Sequence, residues 1–258
     1  MYRSETQTAL SKNILYFLRW TAIAIVMGTV CGLIGTVFGY GVIYAQRLFK
    51  TYSFMLYLMP VAGVLIVLLH QMFHEIGNRG TNLILESISS NEKIHMTTLP
   101  CIFVSTILSQ AVGASAGKEG AALQIGGCIG NYLGDLFHMD ERDKKVMIMS
   151  GMSGCFGAIF GTPLAAAMFG IEVISIGVAY YAALVPCVFA SFIGAQISLR
   201  VPEHILSYVL MVILPVSAFL VLNKKLFNDE GSEEITLNRR TYLTATIAAF
   251  IVGCYDGF

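Results

Sequence analysis

Ser115-Ala-Gly-Lys-Glu-Gly-Ala-Ala-Leu-Gln124 places a lysine and a glutamate side by side between two stretches without Asp, Glu, Lys or Arg, Ile94–Gly117 and Gly120–Gly134. Ionisable residues so embedded in apolar sequence sit at or near membrane depth, where charge is costly and lines ion or substrate paths. Gly117 and Gly120 strip side chains from what reads as a helix start. Its backbone N–H groups, which have no partner within the helix, can then face a small anion.

The rest of the 258-residue chain has the same character: 56% of its residues are hydrophobic and 12% charged, where a soluble domain carries about 25% charged residues. Mean hydropathy is +0.71. Further charge-free windows run 20–46, 51–74, 146–171, 173–199 and 204–223, and another opens at Thr241. Each is close to the roughly 20 apolar residues that carry a helix across a bilayer. The composition therefore predicts an all-α polytopic membrane protein. The apolar run after Arg19 is too long for a cleavable signal peptide and no small-residue site closes it. Arg3, Lys12 and Arg19 precede or flank the first span with only Glu5 against them, which predicts a cytoplasmic N-terminus in the inner membrane. Trp20, Tyr40, Tyr44, Tyr52 and Tyr57 fit an aromatic belt at the interfaces.

Sixteen basic and sixteen acidic residues leave no net charge and give no basis for a nucleic-acid partner. The six cysteines (31, 101, 128, 155, 187, 254) stand singly with no CxxC; they read as packing residues, with neither a metal site nor a disulfide framework. Gly28, Gly32, Gly35 and Gly39 are spaced for close helix packing. Short glycine-interrupted segments (Leu83–Ile88, Gly120–Gly134, Thr162–Ile171) predict broken helices, which occur where backbone lines a site inside the bilayer.

Two enzymatic readings fail. Gly113-Ala-Ser-Ala-Gly117-Lys118 lacks the spacing of a phosphate loop and the Ser/Thr after its lysine. Gly151-Met-Ser-Gly154 has the outline of an intramembrane serine protease, but the only later histidine, His204, lies beside Arg200 and Glu203 in a polar connection. The chain reads as a non-enzyme without a cofactor.

Two blocks carry a family resemblance. Gly117-Lys-Glu-Gly120 with Gln124-Ile-Gly-Gly127 resembles the GREGP…QIGG segment of the CLC chloride channels and transporters, and Gly154-Cys-Phe-Gly-Ala-Ile-Phe-Gly-Thr-Pro-Leu-Ala-Ala-Ala-Met-Phe-Gly-Ile-Glu172 resembles the family's glycine-rich helix, Pro-Leu-Ala-Ala turn and terminal glutamate. The resemblance covers about residues 13–191, the first of the family's two inverted halves. It implies a CLC-like half with tilted and broken helices and an incomplete inverted repeat, in a voltage-gated chloride channel or related anion transporter that is a homodimer in the bilayer. It also implies that Glu119 gates the path, its carboxylate competing with chloride for N–H groups near Gly120 and Ala121. The implied anion-binding set is Gly117, Lys118, Gly120 and Ala121, joined by Arg79, Gly80 and Thr81, which stand where the family has Gly-Ser-Gly-Ile-Pro. Ala121 replaces the family's usual proline. Val173 occupies the position of the inward glutamate of proton-coupled members, which favours channel-like passage of chloride or a similar small anion.

From about residue 194 the resemblance changes. Arg200-Val-Pro-Glu-His-Ile-Leu, Ile213-Leu-Pro and Gly253-Cys-Tyr-Asp-Gly-Phe258 are similar to the TauE/SafE family of sulfite and sulfonate exporters. The expected organisation is thus a CLC-like half at 1–193 and further, TauE/SafE-like segments at 194–258. The alternatives are a secondary exporter of sulfite or organosulfonate and a non-conducting fragment of a fused gene.

Overall fold

The computed structural model describes residues 2–73, 80, 84, 94–173, 180–202, 208 and 211–212, with side chains from Ile14 onward. Every element among them is helical. Helix α1 (Tyr2–Thr51) is followed by a 3₁₀ turn (Ser53–Leu58) and α2 (Met59–Met72), then α3 (Thr98–Ala111), α4 (Lys118–Leu136), α5 (Glu141–Phe160), α6 (Pro163–Glu172), a second 3₁₀ turn (Tyr181–Ala183) and α7 (Leu184–Arg200). The expectation of an all-helical membrane protein holds. Among the described residues, three helical segments are long and apolar enough to cross a membrane: Ile14–Thr51, Ser53–Met72 and Tyr181–Arg200. The first, at 38 residues, extends roughly 57 Å against a hydrocarbon core of about 30 Å. A helix so long must tilt or project. The 14 residues of α3 and 10 of α6 rise only roughly 21 and 15 Å, too short to cross alone.

Helix breaks follow local chemistry. The charge-free window 51–74 reads as one span in sequence, yet the α-helix stops at Thr51 and resumes at Met59. Pro60 stands in the first turn of α2, where a missing N–H costs nothing because that donor would be unpaired anyway. Window 146–171 divides likewise: Gly161 ends α5 at φ 67° and Pro163 opens α6. At the other end of α5, Asp140 accepts a hydrogen bond from the Asp143 N–H at 2.8 Å, capping one of its orphan donors.

The chain divides into two compact units. The first comprises residues 1–36, 80–96 and 122–202, and its helices meet backbone to backbone. A side chain added at Gly126 would strike the Gly151 carbonyl, and one at Gly151 would strike Gly126, so α4 and α5 cross with nothing between their main chains. Gly154 and Gly194 form the same kind of crossing between α5 and α7, while Gly28 abuts Ala190 of α7. Backbones that approach so closely gain dispersion contacts that lipid cannot replace. Ser191 Oγ donates to the Pro163 carbonyl at 2.8 Å, and Asn131 Nδ2 to the Ile94 carbonyl at 3.2 Å. Residues 193 and 194, where the sequence resemblance changes, lie inside α7, which runs unbroken to Arg200.

The second unit comprises residues 37–79, 97–121 and 203–258. Phe38 of α1 packs on Phe103 of α3, ring centroids 5.4 Å apart, and Val42, Ala45, Cys101, Ile107 and Val112 are buried. Ala62 is the buried residue of α2, while Val61, Val64, Leu65, Val67 and Leu68 face outward. A helix this apolar on every side needs lipid or protein cover. Cys31, Cys101, Cys128, Cys155 and Cys187 are buried free thiols, and no cluster of metal-ligating residues occurs among the described residues.

Candidate anion site

The site is a turn between two helices. Helix α3 ends in a Schellman motif: the Gly113 N–H reaches the Gln110 carbonyl at 3.2 Å and the Ala114 N–H the Ser109 carbonyl at 3.0 Å. Gly113 has φ 85°, and a Cβ there would run into the ring of Phe49. Only glycine meets both conditions. Residues 114–117 then run without regular structure to Lys118, where α4 begins.

Glu119 lies in the first turn of α4. Its carboxylate folds back over Gly117, so that a Cβ on Gly117 would lie 2.8 Å from Oε2. Gly117 and Glu119 are exposed, Lys118 and Gly120 half-buried and Ala121 buried. The opening N–H groups have no intrahelical carbonyl to meet, and the helix start carries about half a positive charge. A carboxylate held there is stabilised, and a bound anion is favoured for the same reason. Of the sequence-predicted residues, Gly117, Lys118, Glu119, Gly120 and Ala121 therefore share one helical start. Arg79 and Thr81 lie outside the described residues. Gly80, at φ 60°, lies beside Gln124, whose Nε2 would be 3.8 Å from an added Cβ.

Gln110, missed in the sequence reading, is buried. Its Nε2 donates to the Ala116 carbonyl, and its Oε1 accepts from Gln46 Nε2 at 3.1 Å. It is the one glutamine of the charge-free run 94–117, a signal available before the structure. A cavity of about 400 Å³ lies against this turn, lined by Gln46, Phe49, Lys50, Gln110 and residues 113–116.

The other singled-out residues fall elsewhere. Glu172 is exposed at the end of α6, and Val173 is the half-buried cap, its N–H on the Phe169 carbonyl at 2.9 Å. Ser153 is fully buried against Gly170, a packing position, and His204 lies outside the described residues. Around the start of α5, Arg19 pairs with Asp143 at 3.6 Å and Lys144 with Asp135 at 2.6 Å. Partial burial, then Asp140, hold the Asp143 carboxyl above its ordinary range, with Arg19 and Arg142 pulling the other way.

Short and long helices joined by tight glycine crossings describe a polytopic membrane protein. Residues 62–257 match the voltage gated chloride channel family, and the chain belongs to that family. It is 33% identical over 208 residues to a "Chloride/fluoride channel protein" of Pseudomonas syringae pv. tomato, covering 80% of this chain and 46% of that one. To the "H(+)/Cl(-) exchange transporter ClcA" of Citrobacter koseri it is 29% identical over 193 residues, 69% and 41% of the two chains. The solved structure of a CLC-type fluoride/proton antiporter superposes with a TM-score of 0.66 at 26% identity, over 92% of this chain and 55% of that one. The chain spans about half the length of the curated relatives it matches.

Proposed function

We propose that this chain contributes a pathway for chloride or a similar small anion, fluoride included, in which Glu119 is the gate. The observation that carries this reading is the Glu119 carboxylate folded over Gly117 at the opening turn of α4. There, the carboxylate and an anion seek the same donors, Gly117 to Ala121, so occupancy by one excludes the other. Protonation removes the carboxylate's claim and frees the donors. Arg79, Gly80 and Thr81 complete the proposed anion set. Val173, which cannot relay a proton, supports passage without strict proton exchange. Fluoride enters the proposal through the names of the Pseudomonas relative and the structural neighbour. The matched interval, 62–257, takes in the tail beyond residue 194 and supports assigning that tail to the same family rather than to a sulfite exporter. The working assembly is a homodimer in the inner membrane with cytoplasmic N-termini.

The test is reconstitution of the full chain in liposomes loaded with chloride or with fluoride, followed by ion-selective electrodes. Efflux of either ion above empty liposomes, without obligatory proton movement, is expected. Efflux of neither contradicts the proposal, and efflux that stops when proton movement is blocked contradicts the channel-like part.

A further inference from the structure

We propose that Gln110 is a positioning residue for the gate, setting the turn that presents Glu119. The inference rests on the gate reading above. It starts from the way the Gly113–Gly117 turn is held. At its first end the Schellman motif and the Phe49 ring fix Gly113. Three residues on, the Ala116 carbonyl receives the Gln110 Nε2–H. The Ala116 carbonyl can only accept, so it holds the Gln110 Nε2 toward the turn and leaves Oε1 to accept from Gln46. The amide thus presents a donor, and never an acceptor, to the turn.

The cavity beside the turn gives this bond its weight. With about 400 Å³ of open space on that face, the Phe49 ring packs on the turn at Gly113, and the hydrogen bond to the Ala116 carbonyl holds its far end. Gln110 is itself buried, and a buried polar group left without a partner costs more than the bond returns when made. The arrangement is therefore held from both sides: the turn needs the amide, and the amide needs the turn. Ala116 is one residue before Gly117, over which the gate carboxylate folds, and two before the start of α4. A shift of the Ala116 carbonyl passes directly into the direction of the first N–H groups of α4. Gln46 adds the long-range element, since it brings the end of α1 to bear on a turn 64 positions away from it at Gln110.

The experiment compares chloride efflux at acid and neutral pH for the reconstituted full chain carrying Gln110→Leu, Gln46→Leu or Glu119→Gln, and for the Gln110→Leu/Glu119→Gln double variant. Gln110→Leu should shrink the acid-to-neutral efflux ratio about tenfold, the weight of one hydrogen bond in a buried site. Gln46→Leu, at an exposed position where folding is safe, should shrink it in the same direction by less. In the Glu119→Gln background, Gln110→Leu should leave the ratio unchanged, whereas a general loss of folding would lower efflux in both backgrounds alike. If Glu119→Gln itself leaves the ratio as in the parent, the gate reading is what fails. If Glu119→Gln abolishes the ratio while Gln110→Leu and Gln46→Leu both keep it, the positioning role of Gln110 is overturned.

Discussion

Replacing Gly126 by alanine tests the architecture at its tightest point. The new methyl would meet the Gly151 carbonyl oxygen of α5, and a backbone oxygen cannot swing aside as a side chain can. Overpacking a well-filled site costs about 1–3 kcal/mol, and the absence of any rotamer escape puts this site near the top of that range. Alanine recovers roughly 0.5–1 kcal/mol over glycine inside a helix. The net expectation is destabilisation by about 2 kcal/mol. Gly63 of α2 is the internal control, because a Cβ there meets nothing within 4 Å. Gly63→Ala should stabilise by roughly 0.5–1 kcal/mol, so the same chemical change has opposite signs at the two positions. Equilibrium unfolding of the detergent-solubilised chain reads both. Trp20, the single tryptophan, is buried in α1 and reports by fluorescence, with helical circular dichroism as the second probe. If the two variants differ by less than about 1 kcal/mol, α4 and α5 do not cross as described.

Other outcomes follow from the start of α5. Asp140→Ala removes the cap on the Asp143 N–H and should cost about 1 kcal/mol in the same unfolding assay. The raised Asp143 carboxyl gives a pH dependence of definite sign. The folded chain holds that proton to higher pH than the unfolded chain, so this group's contribution is fully present below the ordinary carboxylate range. It is lost as pH rises through the raised value. Asp143→Asn should flatten that part of the stability profile; a profile matching the parent would refute the assignment.

Much of the fold is legible in the sequence because the bilayer imposes a simple rule, that charge-free windows become helices. The turn before α4 stands out in the sequence for the opposite reason: a Lys-Glu pair amid apolar sequence has few structural explanations. Where helices break is harder to read, because hydropathy does not register chain direction. Window 51–74 hides the stop at Thr51, with Pro60 as its one marker, whereas the Gly161–Pro163 break in window 146–171 falls where the short segment Thr162–Ile171 was expected. The Gly126–Gly151 crossing and the Gln46–Gln110 bond join residues 25 and 64 positions apart. Such pairings are set by how helices dock, which local pattern does not encode. Gln110 shows the limit well: a lone glutamine in a charge-free run was a signal left unread, and its partners are fixed only by the Schellman turn that brings Ala116 within reach.

The central claim is that a carboxylate and an anion alternate at the opening donors of α4. The most direct measurement is anion efflux from liposomes as a function of pH, for the parent chain and for Glu119→Gln. Efflux through the parent should rise as pH falls and the carboxylate is protonated, while the glutamine variant should be open and flat across the range. A Glu119→Gln protein that keeps the parent's pH dependence would contradict the claim.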